Sequence, residues 1–302
     1  MRVGLPPQFE LYEVLPFLGE IIAPDGSPLG REFEFDFSSL QFIKPEGMVA
    51  LANVIKYLQS KGCTIRFTGV RVDESTPRDN PLKYLDDCSF FEHFLGKKLF
   101  SGSSCRTTTI PLNFIETQSY YSWIRNKVIP WLDKRIGIDT QRQLPEFSAC
   151  MDEIFNNIID HAHVQIASVH MQHYPRDNQV FIAVADFGVG IPTNIRKVQA
   201  FGSLSDAQCL KRAIEHGISS KTTPRNRGAG LDTLLQNIIV HNKGKVRIHS
   251  LKGHLTATPS SHDMTIEIEE REHLYPGTLL LMQLRTDTIP PPQEDEEEFS
   301  WD

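Results

Sequence analysis

The chain has 302 residues, of which 40% are hydrophobic and 23% are charged, as in an ordinary globular protein. Thirty-one Lys and Arg against thirty-eight Asp and Glu give a net charge of −7, which argues against a general nucleic-acid-binding protein. The first residues lack a signal-peptide pattern and no apolar run reaches the ~18 residues that cross a bilayer, so we expect a cytoplasmic protein without a membrane partner. Five scattered cysteines without a Cys-x-x-Cys pair predict neither a disulfide framework nor a structural zinc site.

The negative charge is concentrated at the end of the sequence. Six acidic residues lie among the last nine, and three prolines precede them, so we expect a disordered acidic tail at 290–302. The rest of the chain is nearly neutral. Within it, the segment Gly217–Leu231 contains Lys221, Arg225 and Arg227 but no Asp or Glu, and such a cationic loop suits a phosphate-rich ligand.

The N-terminal pattern predicts an α/β unit. Prolines and glycines between short apolar stretches indicate strands or loops in residues 1–30, and the alternation of Phe33–Phe37 is typical of a half-buried strand. Apolar residues then recur at helical spacing after Pro45 and stop at Gly62. Cys63–Phe67 is rich in β-formers, and strand, helix and strand in such short order favour parallel strands.

The remaining pattern alternates helices and strands. We expect helices at Leu82–Leu95, Tyr120–Ile136 (with a kink at Pro130), Glu146–Val169, Ser205–Glu215 and Ala229–Val240. We expect strands at Arg106–Phe114, Val180–Ala185, Lys245–Ser250, Met264–Ile268 and Thr278–Leu284.

The predicted Glu146–Val169 helix carries a polar pair. Glu153 and Asn157 are four residues apart and therefore project from one face of the helix. Their oxygens could hold a water molecule and a Mg²⁺ ion, which prefers oxygen ligands. A solvated surface pair has the same spacing, so the pair alone does not decide between these two interpretations.

A second element follows the predicted strand Val180–Ala185. Asp186 stands at the carboxyl end of that strand, where it could accept a hydrogen bond from an exocyclic amine. Gly188 and Gly190 permit a tight turn and close approach of a ligand. A plain Asp-Gly turn explains the same residues.

Two further elements lie nearer the C-terminus. Gly228 and Gly230 open the predicted Ala229–Val240 helix, and exposed amides at a helix N-terminus favour phosphate binding. The spacing is not that of a P-loop. Thr278 opens the last predicted strand, and its hydroxyl can donate and accept, as can any strand threonine.

In this order the four elements resemble the GHKL superfamily, whose members include gyrase, histidine kinases and mismatch-repair ATPases. Glu153-x-x-x-Asn157 is similar to the N box, and Asp186-x-Gly188-x-Gly190 is similar to the first glycine box. Gly277-Thr278 falls where the family has a late adenine-contacting threonine. The resemblance covers Thr117–Arg285, and its lid and second glycine box correspond to Ser220, Lys221, Thr222, Arg227, Gly228, Ala229, Gly230 and Leu231.

The resemblance implies a Bergerat α/β sandwich at 117–289 that binds ATP and Mg²⁺. Glu153 would then polarise the water that attacks the γ-phosphate, as general base. Asn157 would be a ligand of the Mg²⁺ that bridges the phosphates. Catalysis would consist mostly of positioning and charge neutralisation, as is usual in phosphoryl transfer.

The resemblance also assigns the contacts to the base and to the phosphates. Asp186 would bond the adenine amino group, and Thr278 would support it directly or through water. Gly188 and Gly190 would let the base approach. The lid, with Lys221 and the other residues that match it, would close over the phosphates.

A second resemblance concerns the N-terminal part of the chain. Phe35-Asp36-Phe37-Ser38-Ser39-Leu40 and the sequence through Gly47 resemble a STAS domain, the fold of anti-sigma-factor antagonists, over Glu32–Gly69. It implies a STAS-like α/β domain at 1–116, before the GHKL domain. Antagonists carry a phosphorylatable Ser or Thr just before the helix glycine. Here that position is Glu46, whose carboxylate cannot be phosphorylated but could imitate a phosphate.

Three functions are compatible with these patterns. The first is an ATPase whose lid closure controls a protein partner, bound through the STAS-like domain or the lid. The second is a serine/threonine protein kinase of a partner-switching system; a histidine kinase fits less well, because no dimerisation segment with an acceptor His precedes the N box. The third is a non-catalytic, nucleotide-gated interaction module. Members of the superfamily often dimerise, so a homodimer is a further expectation.

Overall fold

Two parallel sheets and one antiparallel sheet build a mixed α/β fold in the described residues, as the alternating pattern predicts. The computed structural model describes residues 1–72, 77, 79–116, 119–136, 151, 166–215, 231–261 and 263–288. Its strands are β1 (Arg2–Gly4), β2 (Gln8–Phe9), β3 (Glu32–Asp36), β4 (Phe42–Ile43), β5 (Thr64–Thr68), β6 (Thr109–Glu116), β7 (Ile166–Tyr174), β8 (Gln179–Asp186), β9 (Lys245–Pro259) and β10 (Met264–Arg285).

Its α-helices are α1 (Leu11–Gly19), α2 (Pro45–Ser60), α3 (Pro81–Asp87), α4 (Phe90–Leu95), α5 (Tyr120–Trp123), α6 (Ile129–Ile136), α7 (Ile191–Ile195), α8 (Asp206–Ala213) and α9 (Leu231–Leu235). Segments of π-helix at Ile124–Val128 and Gln236–His241 join α5 to α6 and extend α9. Among the described residues, no helix combines the length and apolarity needed to cross a bilayer.

The larger parallel sheet has the strand order β1-β3-β5, and α2 connects β3 to β5. The smaller one pairs β2 with β4. This confirms the predicted parallel α/β unit. The expectation of only strands or loops in residues 1–30 is wrong, because Leu11–Gly19 is helical despite Pro16. Its buried residues Leu11, Val14, Leu15 and Leu18 have helical spacing and outweigh the proline.

Helix α2 lies between the β1-β3-β5 sheet and the antiparallel sheet. Thirteen of its sixteen residues are buried, since it packs against β5 on one side and against β7 and β8 on the other. A helix that is covered all round has no polar face, which is why its sequence is apolar beyond a single stripe.

The second sheet is antiparallel, with the strand order β6-β7-β8-β10-β9. The prediction of three closing strands is corrected to two long ones. Met264–Ile268 and Thr278–Leu284 both belong to β10, whose pairing with β9 shifts register between Glu270 and Thr278. A register shift of this kind bends a strand without ending it, so the interrupted hydrophobic pattern looked like two strands.

The two faces of the antiparallel sheet have different cover. On one face, which we call the α2 face, Ala183, Ala185, Leu279 and Leu281 pack in the same core as α2. On the other, which we call the helical face, alternate residues of the same strands pack with Val128, Leu210, Leu234 and Leu235. These alternate residues are Val180, Ile182, Val184, Leu280, Met282 and Leu284.

The other predictions have mixed outcomes. Ser205–Glu215 contains α8, which begins with a capping box of Ser205 and Gln208. The predicted helix Glu146–Val169 is wrong at its end, where Ile166–Val169 belong to β7; residues 146–150 and 152–165 lie outside the described residues. Strand β6 pairs with β7, so the predicted N-terminal domain 1–116 contributes an edge strand to the antiparallel sheet.

Candidate functional site

Three polar side chains form a row across the helical face where β8 ends. Asp186 is the last residue of β8 and stands opposite Thr278 of β10, which in turn stands opposite Ser250 of β9. Strand alternation places all three on the side of Val184, Leu280 and Ile248, whose side chains form the helical-face core. Two of the sequence-predicted residues, Asp186 and Thr278, are therefore brought together.

The Asp186 carboxyl group is buried, with 3% of the residue exposed. Its Oδ1 accepts a hydrogen bond of 2.7 Å from the Gly188 amide. Burial raises the pKa of Asp186 to about 7, although backbone bonds from Gly188 and Thr278 lower it. A buried carboxyl group that titrates near neutrality is common in functional sites, where burial is used to match the pKa of a group to its task.

Ser250 completes the row and was missed from sequence. Its hydroxyl donates to the Gly277 carbonyl at 3.0 Å and accepts from the Ile191 amide at 2.9 Å. Thr278 Oγ1 lies 3.0 Å from Ser250 Oγ. With the Ser250 proton on Gly277, Thr278 must be the donor of that bond, so its own oxygen keeps free acceptor capacity. Only the β9–β10 register could have revealed Ser250.

The glycines of the turn serve the packing of the chain on itself. Gly277 has φ of +95°, and a Cβ there would lie 2.3 Å from the Asp186 carbonyl oxygen. Gly190 has φ of +79°, and a Cβ there would lie 3.0 Å from Leu251 and 3.1 Å from Ser250. We expected Gly190 to permit the approach of a ligand. The structure gives a second reason for a glycine there, because the turn after β8 passes close to β9 and β10.

Asn53 of α2 reaches the same turn from the opposite face of the sheet. Its amide nitrogen donates to the Asp186 carbonyl at 3.0 Å and to the Tyr275 hydroxyl at 2.9 Å. Its amide oxygen accepts from the Ser168 hydroxyl at 3.4 Å. Asn53 was also missed; its one sequence signal is an amide in the middle of the apolar stretch Met48–Ile55 of α2.

A cavity of about 530 Å³ adjoins the turn on a side that Asp186 and Thr278 do not line. Tyr57 and Lys61 of α2 line it together with Phe187, Gly188 and Lys252. The Tyr57 and Phe187 rings meet edge to face with centroids 6.2 Å apart. The cavity is therefore bordered by both α2 and the turn, and its lining does not include Asp186, Thr278 or Ser250.

Glu46 lies inside the molecule. It is 3% exposed, and burial raises the pKa of its carboxyl group above the usual range. Its Oε2 has no hydrogen-bond partner among the described residues. The idea that Glu46 imitates a phosphorylated residue stays a hypothesis; the helix that carries it, α2, is covered by the antiparallel sheet.

The other predicted site residues lie outside the described residues. They are Glu153, Asn157, Ser220, Lys221, Thr222, Arg227, Gly228, Ala229 and Gly230. The described residues beside them are informative. Met151, two positions before Glu153, is buried in the helical-face core, and Leu231, next to Gly230, packs against the same core.

The described residues include no group of three or more His, Cys, Asp or Glu side chains placed to hold a metal ion. In comparisons with known proteins, no family model matches the chain, and no curated protein matches it at a significant level. The function is therefore inferred from the residues and their geometry.

Proposed function

We propose that the chain binds ATP on the helical face of the antiparallel sheet and hydrolyses it, with lid closure controlling a protein partner. The observation that carries this proposal is the Asp186–Thr278 pair. Two residues 92 positions apart in the sequence, each assigned to the adenine amino group by the GHKL resemblance, are direct neighbours on adjacent strands.

The chemistry of the pair fits an adenine base. Asp186 offers a carboxyl oxygen, and the Ser250 bond leaves Thr278 Oγ1 with acceptor capacity. Two acceptors suit an N–H donor such as the 6-amino group. Because Asp186 is buried and Thr278 is half-buried, a bond there contributes more to specificity than it would in water.

The phosphate end of the site is assigned by sequence and by flanking residues. Met151, two positions before Glu153, and Leu231, next to Gly230, both pack in the helical-face core, on the side of the sheet that carries Asp186. We assign the water-activating carboxylate to Glu153 and the Mg²⁺ ligand to Asn157. A bound Mg²⁺ would neutralise charge on the phosphates, and Lys221 and Arg227 would add positive charge from the lid.

A serine kinase whose substrate is its own STAS-like helix is less favoured by the position of that helix. In a partner-switching system that helix would be presented to a separate kinase, whereas here α2 is buried against β7 and β8 of the same chain. A kinase acting on another protein, and a binding module without turnover, are the alternative outcomes of the experiment below.

The test is incubation with MgATP labelled at the γ-phosphate, scored for free phosphate and for protein-bound phosphate. We expect free phosphate from the wild-type chain and none above background from Glu153→Ala, with nucleotide binding retained. The matched control is Glu272→Ala, an exposed carboxylate of β10. Label on protein would favour the kinase, binding without either product would favour the module, and unchanged turnover in Glu153→Ala would contradict the assignment of the base.

A further inference from the structure

Helix α2 contacts two consecutive residues of the turn that follows β8. Asn53 bonds the Asp186 carbonyl, and Tyr57 packs its ring against Phe187. Asn53 and Tyr57 are four positions apart and therefore project from the same side of α2. The N-terminal unit, formed by β1, β3, β5 and α2, therefore contacts the turn on the α2 face, whereas the Asp186 carboxyl group lies on the helical face.

The Asn53 amide is 1% exposed and uses both of its polar atoms. Its three partners belong to β7, β8 and β10, so one side chain ties α2 to three strands of the antiparallel sheet. A buried amide must recover its desolvation cost through hydrogen bonds, and an apolar residue would fill the space without that requirement. Unlike an apolar residue, the amide forms a directional hydrogen bond, which fixes the orientation of the Asp186 carbonyl.

Orientation of that carbonyl bears on the carboxyl group of the same residue. The Asp186 side chain bonds the Gly188 amide two residues later, which closes a local turn between backbone and side chain. Gly277 packs against the other side of the Asp186 carbonyl. Movement of the carbonyl therefore changes the aim of the carboxyl group that would receive the base.

We propose that Asn53 is a positioning residue of the nucleotide site, through which the N-terminal unit sets how strongly the site prefers a purine with a 6-amino group. This inference rests on the proposed function. Asn53 touches no reacting atom and acts through Asp186. Its removal reduces the preference for ATP over purine riboside triphosphate, which lacks the amino group, and loosens the Asp186–Gly188 turn in the nucleotide-free protein.

The first measurement needs no nucleotide. Hydrogen exchange of the Gly188 amide is compared in wild type, Asn53→Ala and the smaller change Asn53→Ser, with Ser168→Ala as the matched control, since Ser168 bonds Asn53 but not Asp186. The Leu99 amide is the internal reference, because it also donates to a buried carboxylate, Asp86, in another part of the chain. We expect Gly188 exchange to rise about tenfold in both Asn53 variants, with Leu99 unchanged.

The second measurement is the ratio of affinities for MgATP and the magnesium complex of purine riboside triphosphate in the same full-length variants. We expect the wild-type preference for ATP to fall at least about fivefold in Asn53→Ser and to be retained in Ser168→Ala. Equal preference in wild type and Asn53→Ser, or Gly188 exchange that follows Leu99 exchange in every variant, would overturn the inference. Failure of the wild-type chain to bind ATP would instead overturn the proposed function.

Discussion

The two faces of the antiparallel sheet are made from the same strands and serve different purposes. On the α2 face, Ala183 and Ala185 have small side chains, so that α2, which is buried on nearly all sides, can pack closely against the sheet. On the helical face, the next residue in the same alternation is Asp186, and its neighbours Thr278 and Ser250 extend a polar row. A period of two along a strand is enough to separate a packing surface from a candidate binding surface.

A hydrogen bond from Asn53 connects the two faces. Asn53 crosses from the α2 side to the backbone of Asp186, the residue whose side chain belongs to the other side. The predictions that follow separate the contribution of each face, from the largest expected effect to the smallest.

The largest expected effect is on the free energy of unfolding, and it comes from the desolvation of the Asp186 carboxyl group on the helical face. The pKa of Asp186 is raised to about 7 in the folded chain by burial. A carboxyl group with a raised folded pKa favours folding at low pH, and that contribution is lost as the pH rises from about 4 to about 7. Relative to wild type, Asp186→Asn should therefore gain about 3–4 kcal/mol of unfolding free energy over this range.

Urea denaturation of the nucleotide-free protein at pH 4, 5.5, 7 and 8 checks this change. The exposed Asp263→Asn variant is the control, and its difference from wild type should vary by less than about 0.5 kcal/mol. A pH-independent difference between Asp186→Asn and wild type would show that the carboxyl group is not held in an unfavourable environment.

The next effect concerns the close passage of β10 behind the Asp186 turn. Gly277→Ala combines a left-handed φ of +95° with a Cβ placed 2.3 Å from a backbone oxygen. We expect a loss of about 3 kcal/mol, because strain and overpacking add. Gly62→Ala has a similar φ of +76° but open space around its Cβ, so it should lose only about 1 kcal/mol in the same denaturation assay. Equal losses would mean that the close approach is not important.

A smaller effect is expected from the two serines that face opposite sides of the sheet. Ser250→Ala leaves the Ile191 amide without its acceptor and should cost about 1–2 kcal/mol of unfolding free energy. Ser168→Ala on the α2 face loses one bond of 3.4 Å and should cost less than about 1 kcal/mol. Thermal denaturation of both variants checks the order, and the reverse order would contradict the importance of the polar row.

The last effect is a change in affinity and not in stability: the pH dependence of base recognition. Because an ionised Asp186 is the better acceptor for an amino group, the affinity for ATP should rise about tenfold between pH 6 and pH 8 as the carboxyl group ionises. Purine riboside triphosphate has the same phosphates without the amino group and should not show this additional rise. Isothermal titration with both nucleotides checks this, and parallel pH profiles would exclude Asp186 as the acceptor.

Local patterns predicted the N-terminal unit well, because β3, α2 and β5 each carry their own periodicity. Helix α1 was missed because Pro16 concealed a helical spacing, and β10 was divided because its register shift interrupts the pattern. These errors arose where tertiary packing overrides a local signal.

The candidate site was predictable only in part. Asp186 and Thr278 were identified through a resemblance, and their pairing could be expected from it. Asn53 bonds a residue 133 positions away, and Ser250 lies opposite Thr278, 28 positions away. Asn53 is marked in the sequence only as an amide within an apolar stretch, and Ser250 is not marked at all, because their roles depend on how α2 and β9 dock against β8 and β10.

The central claim is that Asp186 receives the base of a bound ATP. Its most direct test is isothermal titration of MgATP into wild type and Asp186→Asn at pH 8, with folding of both checked by circular dichroism. We expect saturable binding by wild type and affinity at least about 30-fold weaker in Asp186→Asn, because an amide nitrogen would face the amino group where an acceptor is needed. Equal affinity in the two proteins, or no binding by wild type, would contradict the claim.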